Sequence, residues 1–181
     1  MKKLISTLVF TLLLFTITVK AQHESINWIT IEEAQAAMEK QPKKILIDVY
    51  TQWCGPCKMM MKNTFTDPSV IAYINENYYA VKFNAEGNES ITFQGTSYTN
   101  PNFDPARGSG RNGTHEFTMA IAPVNGRVAY PTIVYMDENF KILSPVQGYM
   151  QPVQIMPILH FFGDNEYKEQ SWTDYSAAFT N

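Results

Sequence analysis

Apolar and polar positions along the first half of the chain recur at helical and strand intervals. Thr30 stands three residues before Glu33, the spacing of a capping box, and Ile31, Ala34 and Met38 follow at helical intervals, which predicts a helix over 31–40. Gln41-Pro42-Lys43 ends it. The next run, 44–50, has Ile45, Leu46, Ile47 and Val49 around Asp48 and reads as a buried strand. Helix can begin within 58–62 and is interrupted near 64–66. Asp67-Pro68 is a fresh start, an N-cap followed by proline at the first helical position. That segment runs to about Asn77 and buries Val70, Ile71 and Ile74. A strand over 78–85 turns Val81 and Phe83 to one face.

The second half opens on an unusual stretch. Residues 91–99 suggest a short hairpin turning at Gln94-Gly95, and 101–113 is rich in Gly, Pro, Asn and Ser, as loops are. Residues 86–113 together read as an insertion within the domain. Helix resumes with Thr114 as its N-cap and runs to about Ala122. A hairpin follows, with strands over 128–136 and 140–143 and its turn over 137–139. A last amphipathic helix spans 152–162. The tail, 167–181, is short helix or irregular, with Trp172, Tyr175 and Phe179 available to dock. This order predicts an α/β fold, a mixed central sheet flanked by helices on both faces.

Composition adds one boundary. Lys2 and Lys3 precede an apolar run over 4–19, and Val19-Lys20-Ala21 is a small-residue cleavage pattern. Residues 1–21 are therefore expected to be a secretory signal peptide, leaving 22–181 as one domain with a core of about 26–163 and a tail of 164–181. The alternative is an uncleaved anchor, but the run is shorter than the roughly 20 residues a span requires. No cysteine follows the run to carry a lipid. Cleavage removes three lysines and no acid, leaving 11 basic against 17 acidic residues, a net charge of −6. A chain so acidic, with no basic cluster, argues against nucleic acid and against an anionic membrane surface.

The only two cysteines lie in Trp53-Cys54-Gly55-Pro56-Cys57-Lys58. Closing so small a ring restrains an unfolded chain little, so the pair is better suited to react than to staple. Between a strand and a helix, the first sulfur meets the positive end of a helix dipole, which favours its thiolate. Cys54, nearer the helix N-terminus and the surface, is the candidate nucleophile, and Cys57, one turn deeper, the resolving thiol. Asp48 lies between Ile47 and Val49, and a carboxyl buried there would have a raised pKa and could exchange a proton near neutrality. His23, His115 and His160 show no ligand spacing, so no metal is expected. His115 is read as a cap or packing residue, and Asn88-Glu89-Ser90 and Asn112-Gly113-Thr114 as chance glycosylation triplets. The 59–61 methionines are read as packing.

With these residues in view, the chain resembles the thioredoxin superfamily over roughly 26–163. The Gly-Pro dipeptide is that of thioredoxin itself. Asp48, six residues before Cys54, matches the family's buried aspartate, and Lys82 its neighbouring lysine. Tyr130-Pro131-Thr132 matches the cis-proline loop, and Gly148 the glycine before the final helix. In its leader and insertion it looks like exported thioredoxin-like proteins of Bacteroidetes-type bacteria. Residues 86–113, Tyr50 in place of tryptophan, and Tyr130 in place of an aliphatic residue are departures, and they bear on substrate choice more than on chemistry.

The resemblance implies a thioredoxin-like fold and an exported, periplasmic thiol:disulfide oxidoreductase without a cofactor, acting through the Cys54–Cys57 dithiol. Asp48 would serve Cys57; the alternative is an ion pair with Lys82 that only joins two strands. Pro131 in cis would leave the backbone of Tyr130 free to pair with substrate, with Trp53 and Tyr130 as the apolar rim of the groove. Trp53 as ordinary packing is the alternative. Pro56 fits a first helical turn, and Gly55-Pro56 resembles reducing thioredoxins, at roughly −270 mV, more than oxidants near −120 mV. The implied partners are a substrate protein with a disulfide and a membrane electron donor of the DsbD or CcdA kind, the enzyme itself being a monomer. The other readings are an oxidase or isomerase, or a non-catalytic binding module that uses the groove and the insertion to hold a protein.

Overall fold

The computed structural model describes residues 25–180, so the expected signal peptide and His23 lie outside the described residues. Five strands form one sheet in the order β1 (Trp28–Ile29), β3 (Tyr78–Asn84), β2 (Lys44–Tyr50), β6 (Thr132–Met136), β7 (Ile142–Gln147). β2 runs parallel to β3 and antiparallel to β6, which makes the sheet mixed. The parallel pair needs a crossover, supplied by α2 (Gly55–Asn63) and α3 (Pro68–Asn77). The thioredoxin-like α/β architecture expected from the sequence is the one observed.

Two apolar layers enclose the sheet. On one face Leu46, Ile133 and Tyr135 pack with Met60 of α2, Ile74 of α3 and Leu159 of α5 (Pro152–Gly163). On the other, Ile45, Ile47 and Val49 pack with Ala34 of α1 (Ile31–Met38) and Phe117 of α4 (Glu116–Ile121). The capping box of α1 forms as expected: Glu33 N–H donates to Thr30 Oγ1 at 3.1 Å and Thr30 N–H to Glu33 Oε2 at 2.8 Å. Asp67 caps α3, accepting from the Ser69 and Val70 amides. In the tail α6 (Trp172–Ala178), Trp172 and Tyr175 lie 5.4 and 5.2 Å from the Phe161 ring, and Phe179 5.4 Å from His160.

Some boundaries differ from those the sequence predicts. β1 is only two residues long, too short for any periodicity to register. The cap of α4 is His115, not Thr114: its Nδ1 accepts from Phe117 N–H at 3.0 Å. β6 begins at Thr132, later than the sequence predicts; the residues before it include a Val124–Arg127 bridge. β7 runs on to Gln147 through Pro145, tolerated because β7 is an edge strand.

The insertion is part of the body. Its hairpin, β4 (Ile91–Phe93) and β5 (Thr96–Tyr98), turns at Gln94 and Gly95, both at positive φ. Gln35 of α1 donates to Thr92 C=O and accepts from Gln94 N–H, each at 2.8 Å, while Phe93 packs on Phe117.

Candidate active site

The site is built at the end of β2. After Tyr50 the chain turns through Thr51, Gln52 and Trp53, and Cys54 becomes the N-cap of α2, which starts at Gly55, earlier than 58–62. Cys54 Sγ accepts from Cys57 N–H at 3.1 Å, so one otherwise unpartnered donor of the helix end points at this sulfur. A thiolate formed there would be favoured by that donor and by the helix dipole. Cys54 and Cys57 are joined by a disulfide with Cα atoms 5.3 Å apart. Pro56 occupies the first turn of α2, and Gly55 has open space where a side chain would project.

The sequence places Cys54 nearer the surface than Cys57, a difference that the disulfide form does not show. The two residues are 2% and 4% exposed, so in the disulfide form neither stands out. As an N-cap, Cys54 turns its sulfur inward onto the helix end. Cys57 instead borders a cleft of about 450 Å³ together with Tyr50, Thr51, Met61 and Lys82.

Asp48 lies on β2 six residues before Cys54, 2% exposed, with Lys82 opposite on β3 and Ile133 opposite on β6. Burial pushes its carboxyl up to about 7, against the opposing charge of Lys82. Lys82 and Asp48 form no ion pair within 4 Å. The Lys82 ammonium lies 4.9 Å from the Tyr50 ring centroid and 5.9 Å from that of Trp28. The strand-joining ion pair weighed from the sequence is therefore not made, and Asp48 is left able to take and return a proton near neutral pH.

The Tyr130–Pro131 bond is cis, Pro131 is buried, and Pro131 C=O accepts from Gly148 N–H at 2.8 Å. Gly148 has φ +106°, a conformation that favours glycine. Tyr130 and Trp53 meet edge to face, ring centroids 5.9 Å apart. Burial pushes the Tyr130 phenol up.

Sequence reasoning missed what holds Trp53. Its indole N–H donates to Glu86 Oε2 at 2.8 Å, and the same oxygen accepts from Asn112 N–H at 2.7 Å. The Arg111 guanidinium lies 4.0 Å from the Trp53 ring centroid. An acid just past β3 and an arginine in a Gly-Ser-rich loop carry no spacing signal that would have joined them.

The two histidines among the described residues stay apart. His115 is fully buried, capping α4 and bonding Glu89 C=O through Nε2 at 2.8 Å, while His160 pairs with Asp164 at 2.7 Å on α5. Among the described residues no helix is long and apolar enough to cross a membrane.

Comparison with known proteins agrees with this geometry. A family model described as a thioredoxin-like domain matches residues 31–163. The thiol:disulfide interchange protein DsbD of Vibrio vulnificus is 36% identical over 63 residues, covering 32% of this chain and 10% of that protein. The chain thus spans about a tenth of that curated relative. Among solved structures, a thioredoxin-fold protein from Helicobacter pylori superposes with a TM-score of 0.55 at 19% identity, covering 81% of this chain and 91% of that one. A solution structure from Bacteroides thetaiotaomicron gives 0.50 at 22% identity, covering 77% and 95%. At these identities the structural likeness is one of fold.

Proposed function

Because the chain belongs to the thioredoxin-like family, we propose that it is an exported thiol:disulfide oxidoreductase that reduces protein disulfides through Cys54 and Cys57. The observation that carries the reading is the Cys54–Cys57 pair at the N-terminus of α2, backed by a buried Asp48 whose carboxyl burial pushes up to about 7.

The cycle starts from the dithiol. The Cys54 thiolate attacks one sulfur of the substrate disulfide, forming a mixed disulfide and releasing one substrate thiolate. Asp48, ionised, takes the Cys57 proton. The Cys57 thiolate then attacks Cys54 Sγ, which closes the intramolecular disulfide and releases the second substrate thiolate. Two electrons pass to the substrate, and the disulfide form results. A membrane dithiol donor, of the DsbD or CcdA kind, returns two electrons and two protons. Residues 1–21 act as the leader, and 22–181 form a monomeric periplasmic domain.

The test is trapping. Cys57→Ser protein, prereduced and mixed with a disulfide-bonded protein, should accumulate a mixed disulfide through Cys54 that dithiothreitol releases. Absence of that adduct with every protein disulfide tried, while Cys54 remains alkylatable, would contradict the reading.

A further inference from the structure

The wall beside Cys54 carries a cation that the exchange chemistry does not use. Arg111 is exposed, and among the described residues no carboxylate lies within 4 Å of its guanidinium. Its position is nonetheless fixed. The guanidinium stacks on Trp53, the residue before the nucleophile, and the next residue, Asn112, is tied through its amide to the Glu86 oxygen that holds the Trp53 indole. The loop behind it is braced as well: Asn100 Nδ2 donates to both Gly87 C=O and Gly113 C=O, at 2.9 and 2.7 Å. Asn112 and Asp104 exchange two hydrogen bonds, at 2.8 and 2.9 Å. A side chain at Gly113 would run into the Asn102 backbone, so this corner has little freedom to rearrange.

A stacked guanidinium has its ring-facing side satisfied and its edge N–H groups free to meet a planar anion. We propose that Arg111 is a specificity-determining residue, held by Glu86 and Trp53, that selects polypeptide disulfides whose reacting cysteine is flanked by an aspartate or glutamate. This rests on the oxidoreductase reading. The acidic net charge of the chain does not override it, because salt screens distant charges over about 8 Å at physiological ionic strength, whereas a contacting pair is screened far less. Glu86 does not take Arg111 from the incoming anion: no ion pair joins the two, and Glu86 Oε2 accepts instead from the Trp53 indole and the Asn112 amide.

The experiment compares two synthetic disulfide peptides, identical except for Glu or Lys beside the cysteine, together with hydroxyethyl disulfide as a small neutral substrate. Wild-type protein should favour the Glu peptide by about three- to fivefold in kcat/KM, the range for an exposed ion pair, chiefly through KM and less so at high salt. Arg111→Gln should abolish that preference, bringing the ratio of the two peptides to about one while both are still turned over. Glu86→Ala, which frees the wall, should lose the preference too, while Glu86→Gln should keep most of it. An equal preference in wild type and Arg111→Gln, or none in wild type, overturns the proposal while turnover of the neutral disulfide keeps the oxidoreductase reading intact. Failure of the wild type on all three substrates overturns both.

Discussion

Lys44 and Asp48 stand on the same face of β2, with Leu46 between them, each only 2% exposed. Lys44 is fully answered. Its ammonium bonds Glu138 at 2.6 Å and Asn165 at 2.9 Å and lies over the Tyr167 ring. Glu138 is answered in turn: burial works against its charge, but the Lys44 hydrogen bond and charge hold its carboxyl below the usual range. Asp48, at the other end of the strand, has a lysine nearby but no ion pair, and burial drives its carboxyl up to about 7. One end of the strand spends its buried charge on holding the fold. The other forms no ion pair, and a carboxyl in that condition can take and return a proton near neutral pH.

The comparison breaks most completely at the thiols. Cys54→Ser should abolish disulfide reduction while the Lys44 end and the fold persist, as seen by an unchanged far-ultraviolet spectrum. A Cys54→Ser protein that kept full activity would remove the chemical role of that end.

Asp48→Asn comes next, and its effect on stability has a definite sign. The folded pKa is raised above the unfolded one, so the folded state binds more protons between about pH 4 and 7, and stability falls as pH rises through that window. The displacement from 3.8 to about 7 corresponds to about 4 kcal/mol, present in full above pH 7 and absent below about pH 4. Urea unfolding should therefore find Asp48→Asn more stable than wild type at pH 8, by up to that amount, and no different near pH 4. The same variant should slow substrate reduction. An unchanged rate across pH 6–9 would remove Asp48 from the mechanism.

Lys44→Met should do the reverse, lowering stability by about 2–4 kcal/mol through the stranded Glu138 and Asn165 without changing exchange kinetics. The Lys44–Glu138 contribution follows the opposite pH sign to Asp48: it is present above the unfolded glutamate pKa and lost as pH falls through the lowered folded one. Acid loosens one end of β2 and base the other. The smallest effect is expected midway, where Tyr135 pairs in register with Leu46 and its buried hydroxyl has no partner. Tyr135→Phe should be neutral or stabilising by less than about 1 kcal/mol in the same urea titration.

What the sequence made legible follows the range of the interactions. The helix over 31–38 was readable because Thr30 and Glu33 cap each other locally, and β2 because an apolar run announces burial on both faces. The Cys54–Cys57 turn was readable because its parts are neighbours in the chain. The cap of α4 is half legible: His115 reads as a cap or packing residue and is the cap, while Thr114, whose hydroxyl fills that role more often, is not. The Glu86–Trp53–Arg111 contact was invisible because it joins residues 33 and 58 positions apart through a loop with no periodic pattern. The missing Asp48–Lys82 ion pair was equally hidden. Register fixes that the two residues are neighbours, while the aromatic rings of Tyr50 and Trp28 decide where the ammonium goes.

The equilibrium of the Cys54–Cys57 pair with glutathione or dithiothreitol, measured on protein lacking residues 1–21, tests the reductase reading most directly. A potential near or below about −250 mV is predicted, within reach of a membrane dithiol donor and low enough to reduce protein disulfides. A potential above about −180 mV would contradict the account and make the pair an oxidant or isomerase.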